Sequence, residues 1–202
     1  MKMRLIAEAL CGERGGEPVF GPVDFSLGQG EALIVTGENG SGKSTLLRVV
    51  AGLLPAASGT ARLDGAEDGS IASAAHYLGH QNAMKTALSV NENLDFWRDF
   101  HGEPFLTNEE ALDEVGLGDL GHLPFGYLST GQRRRVSIAK LLVSYRPVWL
   151  LDEPTAGLDA RSERRFSALM GAHLEDGGII VAATHIPLGI EGAKALVMGA
   201  DA

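Results

Sequence analysis

Cysteine occurs once in the 202 residues, at Cys11, so no disulfide can close within the chain and a reducing compartment is expected. No stretch approaches the ~18 to 20 consecutive apolar residues of a membrane-crossing helix. The N-terminus also lacks an apolar signal core, and the cytosol is the expected location. Basic residues are in deficit: seventeen Lys and Arg against twenty-six Asp and Glu leave a net charge of −9. That balance opposes docking on nucleic acid or on an acidic lipid surface. Repeats, low-complexity tracts and linkers are missing as well, so one well-buried domain spanning 1–202 is expected from a chain that is 45% hydrophobic.

What is present centres on Gly37 to Thr45. The run Gly37, Glu38, Asn39, Gly40, Ser41, Gly42, Lys43, Ser44, Thr45 fits G-x-x-x-x-G-K-[ST]. It follows the apolar strand-length run Ala32–Val35 and precedes the helix-forming Leu46–Ala51, as a phosphate-binding P-loop requires. Glycines let the backbone N–H groups close on phosphate oxygens, and the helix start adds donors and a positive dipole end. Lys43 is expected to reach the β- and γ-phosphates and the Ser44 hydroxyl to ligate Mg²⁺. A guanine-reading Asn-Lys-x-Asp is absent.

Around this loop the pattern alternates. Residues from about Met3 to Leu27 predict a β-hairpin or meander turning at Arg14–Pro18, and Ser58–Gly65 a short strand. His76–Gln81 predicts a strand running into a loop. Ser89-x-x-Glu92 and Thr107-x-x-Glu110 fit capping boxes, so two helices are expected to start there. Leu94, Phe96, Trp97 and Phe100 are expected in core or interface packing. Further on, a helix from Ser129 to Ser144, a strand Val148–Leu151, a helix Asp159–Leu174 and a strand Ile179–Ala183 predict an α/β fold with a mostly parallel sheet. The run Arg133–Arg135 fans around a helix and is expected to be solvated or rim charge.

Asp152 ends an apolar strand, where open α/β sheets place ligand groups, and is the candidate for the metal side; Glu153 beside it is the candidate for the attacking water. Ser129 can cap its helix and, with small residues such as Gly131 beside it in the run Leu128–Gln132, makes a second anion-binding helix start. Leu128–Gln132 followed by Asp152 and Glu153 resembles the ATP-binding cassette (ABC) family, and the likeness runs through most of the chain in the family's order. It implies a P-loop NTPase cassette with an N-terminal antiparallel β flank and an inserted helical signature subdomain over about 89–144. It also implies ATP and Mg²⁺ as ligands, Gln81 as a contact to metal or water, Asp159 in the D-loop, and His185 as a γ-phosphate contact. In that family the signature of one subunit closes over the nucleotide of another in a head-to-tail dimer. Two positions depart from the pattern: Thr130 stands where glycine is usual, and near Arg14 there is no aromatic to stack on adenine, a role left to the Arg14 guanidinium.

The stretches Tyr77–Trp97, Tyr127–Ser144 and Trp149–Asp159 resemble most closely the ATP-binding subunits of the haem export system of bacterial cytochrome c biogenesis. This implies integral membrane partners, a place at the cytoplasmic face of the bacterial inner membrane, and no nucleic acid. The segment Asn82–Leu88 is then expected to receive a short helix of the membrane partner, with Met84 as apolar anchor and Lys85 at the rim. An ATPase subunit of an ABC transporter for another solute, or a soluble non-transport ABC ATPase, is the alternative. A chromosome-maintenance ATPase would place a long coiled coil where fewer than ninety residues intervene, and a translation factor would carry two cassettes.

Overall fold

Hairpin formation begins the chain. In the computed structural model, which describes residues 2–66 and 70–199, β1 (Arg4–Arg14) and β2 (Glu17–Gly28) pair antiparallel across Gly15 and Gly16. Both turn glycines have positive φ, 63° and 83°, the conformation that two-residue hairpin turns demand. β4 (Ser58–Asp64) adds to the other edge of β1, giving the order β2-β1-β4. In β1 the buried side chains change parity, from Leu5 and Ala7 to Leu10. A bulge at Ala9, φ 45°, supplies the extra residue that keeps Leu10 on the core face.

A second sheet is parallel throughout, in the order β5-β6-β7-β3-β8. Its strands are β3 (Ala32–Gly37), β5 (Ala75–Leu78), β6 (Val148–Asp152), β7 (Ile179–Ala183) and β8 (Lys194–Met198). Every residue of β6 and β7 is buried, as their unbroken apolar sequences require in a sheet covered on both faces. α1 (Lys43–Val50) follows β3 and buries Leu46 and Leu47 completely. Each such burial is worth about 1.5–3 kcal/mol. Trp149 of β6 stacks on His173 at 4.0 Å between ring centroids, and burial lowers the imidazole pKa from 6.5 to about 4. These elements lie in one compact unit, the described residues of Met1–Gly79, Pro147–Pro154 and Met170–Ala202.

The other unit, His80–Arg146 with Thr155–Leu169, is helical. α2 (Ile71–Ala74) is a single turn of the first unit that the sequence pattern did not reveal, as was the edge strand β8, whose short exposed face carries little apolar signal. In the second unit, α3 (Val90–His101) and α4 (Asn108–Glu114) start from complete capping boxes at Ser89 and Thr107, as expected. α5 (Thr130–Ala139) starts from Ser129, and α6 (Ala160–Glu175) starts at Asp159, whose Oδ1 accepts from the Ser162 N–H at 2.7 Å.

Two expectations change here. α5 stops at Ala139 rather than Ser144, because the backbone beyond it is committed elsewhere: Leu142 O and Val143 O accept from Leu106 and Phe105, and Tyr145 N donates to Glu103 O. The arginine run is not a solvated face. Arg133 donates to Gly126 O and lies over Phe125, Arg134 is buried, and Arg135 donates to Val115 O and Gly116 O at the end of α4. Their different directions do follow from the helical fan. Of the apolar residues expected to pack on α3, Leu94 is fully buried, while Phe96 and Phe100 are 50% and 69% exposed. No helix among the described residues is long and apolar enough to cross a membrane.

Candidate functional site

β3 ends at Gly37, φ 144°, and the loop to α1 turns through Gly40 and Gly42 at φ 87° and 94°. Steric room is as decisive as φ. A Cβ on Gly37 would stand 2.3 Å from the Met198 carbonyl oxygen, and one on Gly42 would stand 2.9 Å from Val19 Cγ1. The loop is thus pressed between the end of β8 and the second strand of the hairpin, and only glycine fits. Lys43 is buried, and its Nζ donates to Gly37 O and Glu38 O, each at 2.8 Å, so the ammonium is strapped across the loop. Gly42 offers α1 no side-chain cap. The Ser41 hydroxyl is buried without a hydrogen-bond partner among the described residues.

The strand ends bring the acidic groups to the same loop. Ser44 Oγ donates to Asp152 Oδ1 at 2.9 Å. The other carboxylate oxygen, Oδ2, accepts from the Tyr77 hydroxyl at 3.3 Å, and that hydroxyl accepts from Arg48 Nε at 3.3 Å. Glu153 leaves β6 with φ 44°, a region uncommon for a residue with a side chain, and its N–H donates to Ala183 O at 2.8 Å. Its Oε1 lies 3.5 Å from His185 Nε2, which in turn sits 3.1 Å from Asn39 Oδ1. His185 is held by its neighbour: Thr184 N donates to Val35 O, and Thr184 Oγ1 bonds back to Ile186. Gly37, Glu38, Asn39 and His185 line an open cleft of about 580 Å³.

These residues suit a magnesium–nucleotide ligand. Among the described residues the Ser41 hydroxyl lacks a partner, Lys43 places a cation on the loop, and Ser44 with Asp152 offers hard oxygen donors. Among the described residues no group of three or more His, Cys, Asp or Glu could hold a metal alone, so phosphate oxygens and water would complete such a shell. Arg14 ends β1, exposed; the hairpin residues against the loop at Gly42 are Val19 and Phe20.

The remaining candidates belong to the second unit. Gln81 is exposed, and the segment after it is clamped: Ser137 Oγ donates to Asn82 Oδ1 at 2.9 Å, Trp97 Nε1 to Ala83 O at 3.0 Å, and Lys85 N to Asn93 Oδ1 at 2.8 Å. Ser129 Oγ accepts from Gln132 N, while Gln132 Oε1 accepts from Ser129 N. At Gly131 a Cβ would come within 3.3 Å of Gly157 O, so the start of α5 and the turn before Asp159 approach closely through backbone. Sequence reasoning missed Tyr77, Arg48, Asn93 and Ser137. Tyr77 gave one readable sign, a polar-tipped ring in a strand whose other residues are buried.

The sequence profile of the family described as ABC transporter matches residues 20–156. A protein named cytochrome c biogenesis ATP-binding export protein CcmA, from Mesorhizobium japonicum, is 72% identical over 194 residues, covering 95% of this chain and 96% of that protein. The protein of the same name from Chelativorans sp. is 66% identical over 200 residues, covering 98% and 99%. Among solved structures, the ATP-binding cassette MJ0796 in a dimeric post-hydrolysis state bound to ADP and Pi superposes with a TM-score of 0.80 at 23% identity, covering 96% of this chain and 94% of that one. That likeness is one of fold. On the P-loop geometry, the profile match and the near-full-length identities together, this chain belongs to the ABC transporter family, among its cytochrome c biogenesis ATP-binding export proteins.

Proposed function

We propose that this chain is the ATP-hydrolysing subunit of a membrane transporter that powers haem export, or release of haem on its chaperone, in bacterial cytochrome c biogenesis. The observation that carries the ATPase reading is the convergence of Lys43, Ser44, Asp152, Glu153 and His185 on one loop. The relatives' names carry the pathway. With no spanning helix among the described residues, the chain reaches the cytoplasmic face of the inner membrane through integral membrane subunits. Gly37 to Thr45 cradle the phosphates, and Arg14 lies against the base. We read 1–202 as one cassette with the helical unit as its inserted subdomain.

Hydrolysis asks the protein to position a water and to neutralise charge spreading over the γ-phosphoryl. Glu153 orients the water and takes its proton as the oxygen attacks phosphorus and the bond to the ADP oxygen breaks. Lys43 and His185 stabilise the charge that moves to the phosphoryl oxygens. Mg²⁺ would be held by Ser44 and Asp152, with Gln81 as a further candidate contact to metal or water, and would supply electrophilic polarisation of the phosphates. Ser129, Gly131 and Gln132 form the helix start that meets the nucleotide of a second copy, so closure of a head-to-tail dimer completes two sites. A dimeric cassette of this fold holding ADP and Pi supports that arrangement.

Co-expression with the membrane subunits of the same system tests the whole reading. Copurification of the complex with ATP-dependent turnover and bound haem is the expected result. A stable complex with a different membrane partner, stimulated by another solute, would overturn the haem assignment while leaving the ATPase standing.

A further inference from the structure

Tyr77 holds a position that the ATPase chemistry above does not use. β5 and β6 pair in register with Tyr77 opposite Leu150, and Asp152 is two residues further along β6, so its side chain emerges on the same face as that of Leu150. The Asp152 carboxylate is buried, 5% exposed, and its two oxygens are held by different donors: Oδ1 by the Ser44 hydroxyl and Oδ2 by the Tyr77 hydroxyl. A carboxylate pinned at one oxygen still rotates about its Cβ–Cγ bond; pinned at both, its plane is set.

The direction of the Tyr77 hydrogen bond is fixed in turn by Arg48. A phenol carries one proton, and a guanidinium can only donate. Because Arg48 Nε donates to the hydroxyl oxygen, the Tyr77 proton is left to point at Asp152.

We propose that Tyr77 is a positioning residue for metal binding, its hydroxyl orienting Asp152 so that the carboxylate edge shared with Ser44 faces the cation of the magnesium–ATP complex. The inference rests on Ser44 and Asp152 forming the metal side of the site. Outer partners of this kind set ligand orientation, and losing one lowers metal affinity about 10–100-fold.

Tyr77→Phe removes a single oxygen and keeps the ring. In full-length protein, the Mg²⁺ concentration giving half-maximal binding of a non-hydrolysable ATP analogue should rise about tenfold, the lower end for an outer partner. Affinity for the same analogue in EDTA and the unfolding midpoint should stay at wild-type values, and excess Mg²⁺ should restore binding. Arg48→Met, at an exposed position, should shift the Mg²⁺ requirement in the same direction by a smaller factor and carries the test if Tyr77→Phe folds poorly. Wild-type Mg²⁺ dependence in both variants, or an equal loss in EDTA, overturns the assignment. If the wild-type protein and Ser44→Ala both bind the analogue regardless of Mg²⁺, it is the underlying metal reading that fails.

Discussion

Asn39 of the P-loop and His185 beyond β7 meet at 3.1 Å through Oδ1 and Nε2, and the same ring nitrogen stands 3.5 Å from Glu153. Nε2 thus faces an amide oxygen and a carboxylate at once, and both of these are acceptors. Three segments far apart in sequence are thereby tied at one atom.

Glu153→Gln keeps the side chain's size and removes its basicity. Steady-state ATP hydrolysis should fall at least ~10²-fold, the lower end for a general base, while ATP binding by calorimetry stays near wild type. Hydrolysis close to the wild-type rate would remove Glu153 from the mechanism.

Lys43→Ala takes away a cation that bonds two loop carbonyls at 2.8 Å each and is poised for phosphate. Charge-assisted hydrogen bonds contribute about 1.5–3 kcal/mol, so the ATP dissociation constant should rise roughly 10- to 100-fold. An unchanged constant would contradict the role given to the loop.

His173 predicts a pH dependence of stability. Its folded pKa, about 4, lies below the usual 6.5 because burial against Trp149 disfavours the imidazolium. The unfolded chain therefore binds the proton first, and stability is complete above about pH 6.5 and declines as pH falls toward 4, by on the order of 2–3 kcal/mol. His101, also lowered to about 4 by burial and by Arg146 and Lys140, acts in the same direction. Denaturant unfolding from pH 7 to 4.5 should show His173→Phe losing part of this slope; an identical slope in the variant would assign it elsewhere.

Met84→Asp tests the coupling segment. Met84 is half-buried in a stretch whose backbone Trp97 and Asn93 clamp on either side, and exposed Phe96 and Phe100 extend an apolar surface along α3. The variant should lose capture by the membrane subunits in a pull-down and keep ATP binding on the same preparation. Copurification at wild-type yield would move the docking surface elsewhere.

Much of this is legible in the sequence. Positions with a fixed local chemistry announced themselves: the P-loop glycines, the capping boxes at Ser89 and Thr107, and the unbroken apolar run ending in Asp152. What escaped was set by tertiary partners. The end of α5 depends on segment 103–106 competing for its backbone, which no local pattern encodes. The buried contacts of the arginine run are hidden from the sequence because its carbonyl acceptors at Gly126, Val115 and Gly116 come from elsewhere in the chain. Arg48 looks like an ordinary helix residue, and the polar tip of Tyr77 gains its meaning only when β5 is laid beside β6.

The chain's two tryptophans fall one to each unit. Trp149 is buried and stacked on an imidazole, an arrangement that quenches indole emission once the ring gains a proton, whereas Trp97 hydrogen-bonds the loop that follows Gln81 and lies under Lys140 at 4.4 Å. Intrinsic fluorescence can therefore be divided between the units without any attached dye. With Trp149→Phe the remaining signal belongs to the helical unit, and nucleotide or partner binding can be followed there as a change in the wavelength and accessibility of a single natural fluorophore.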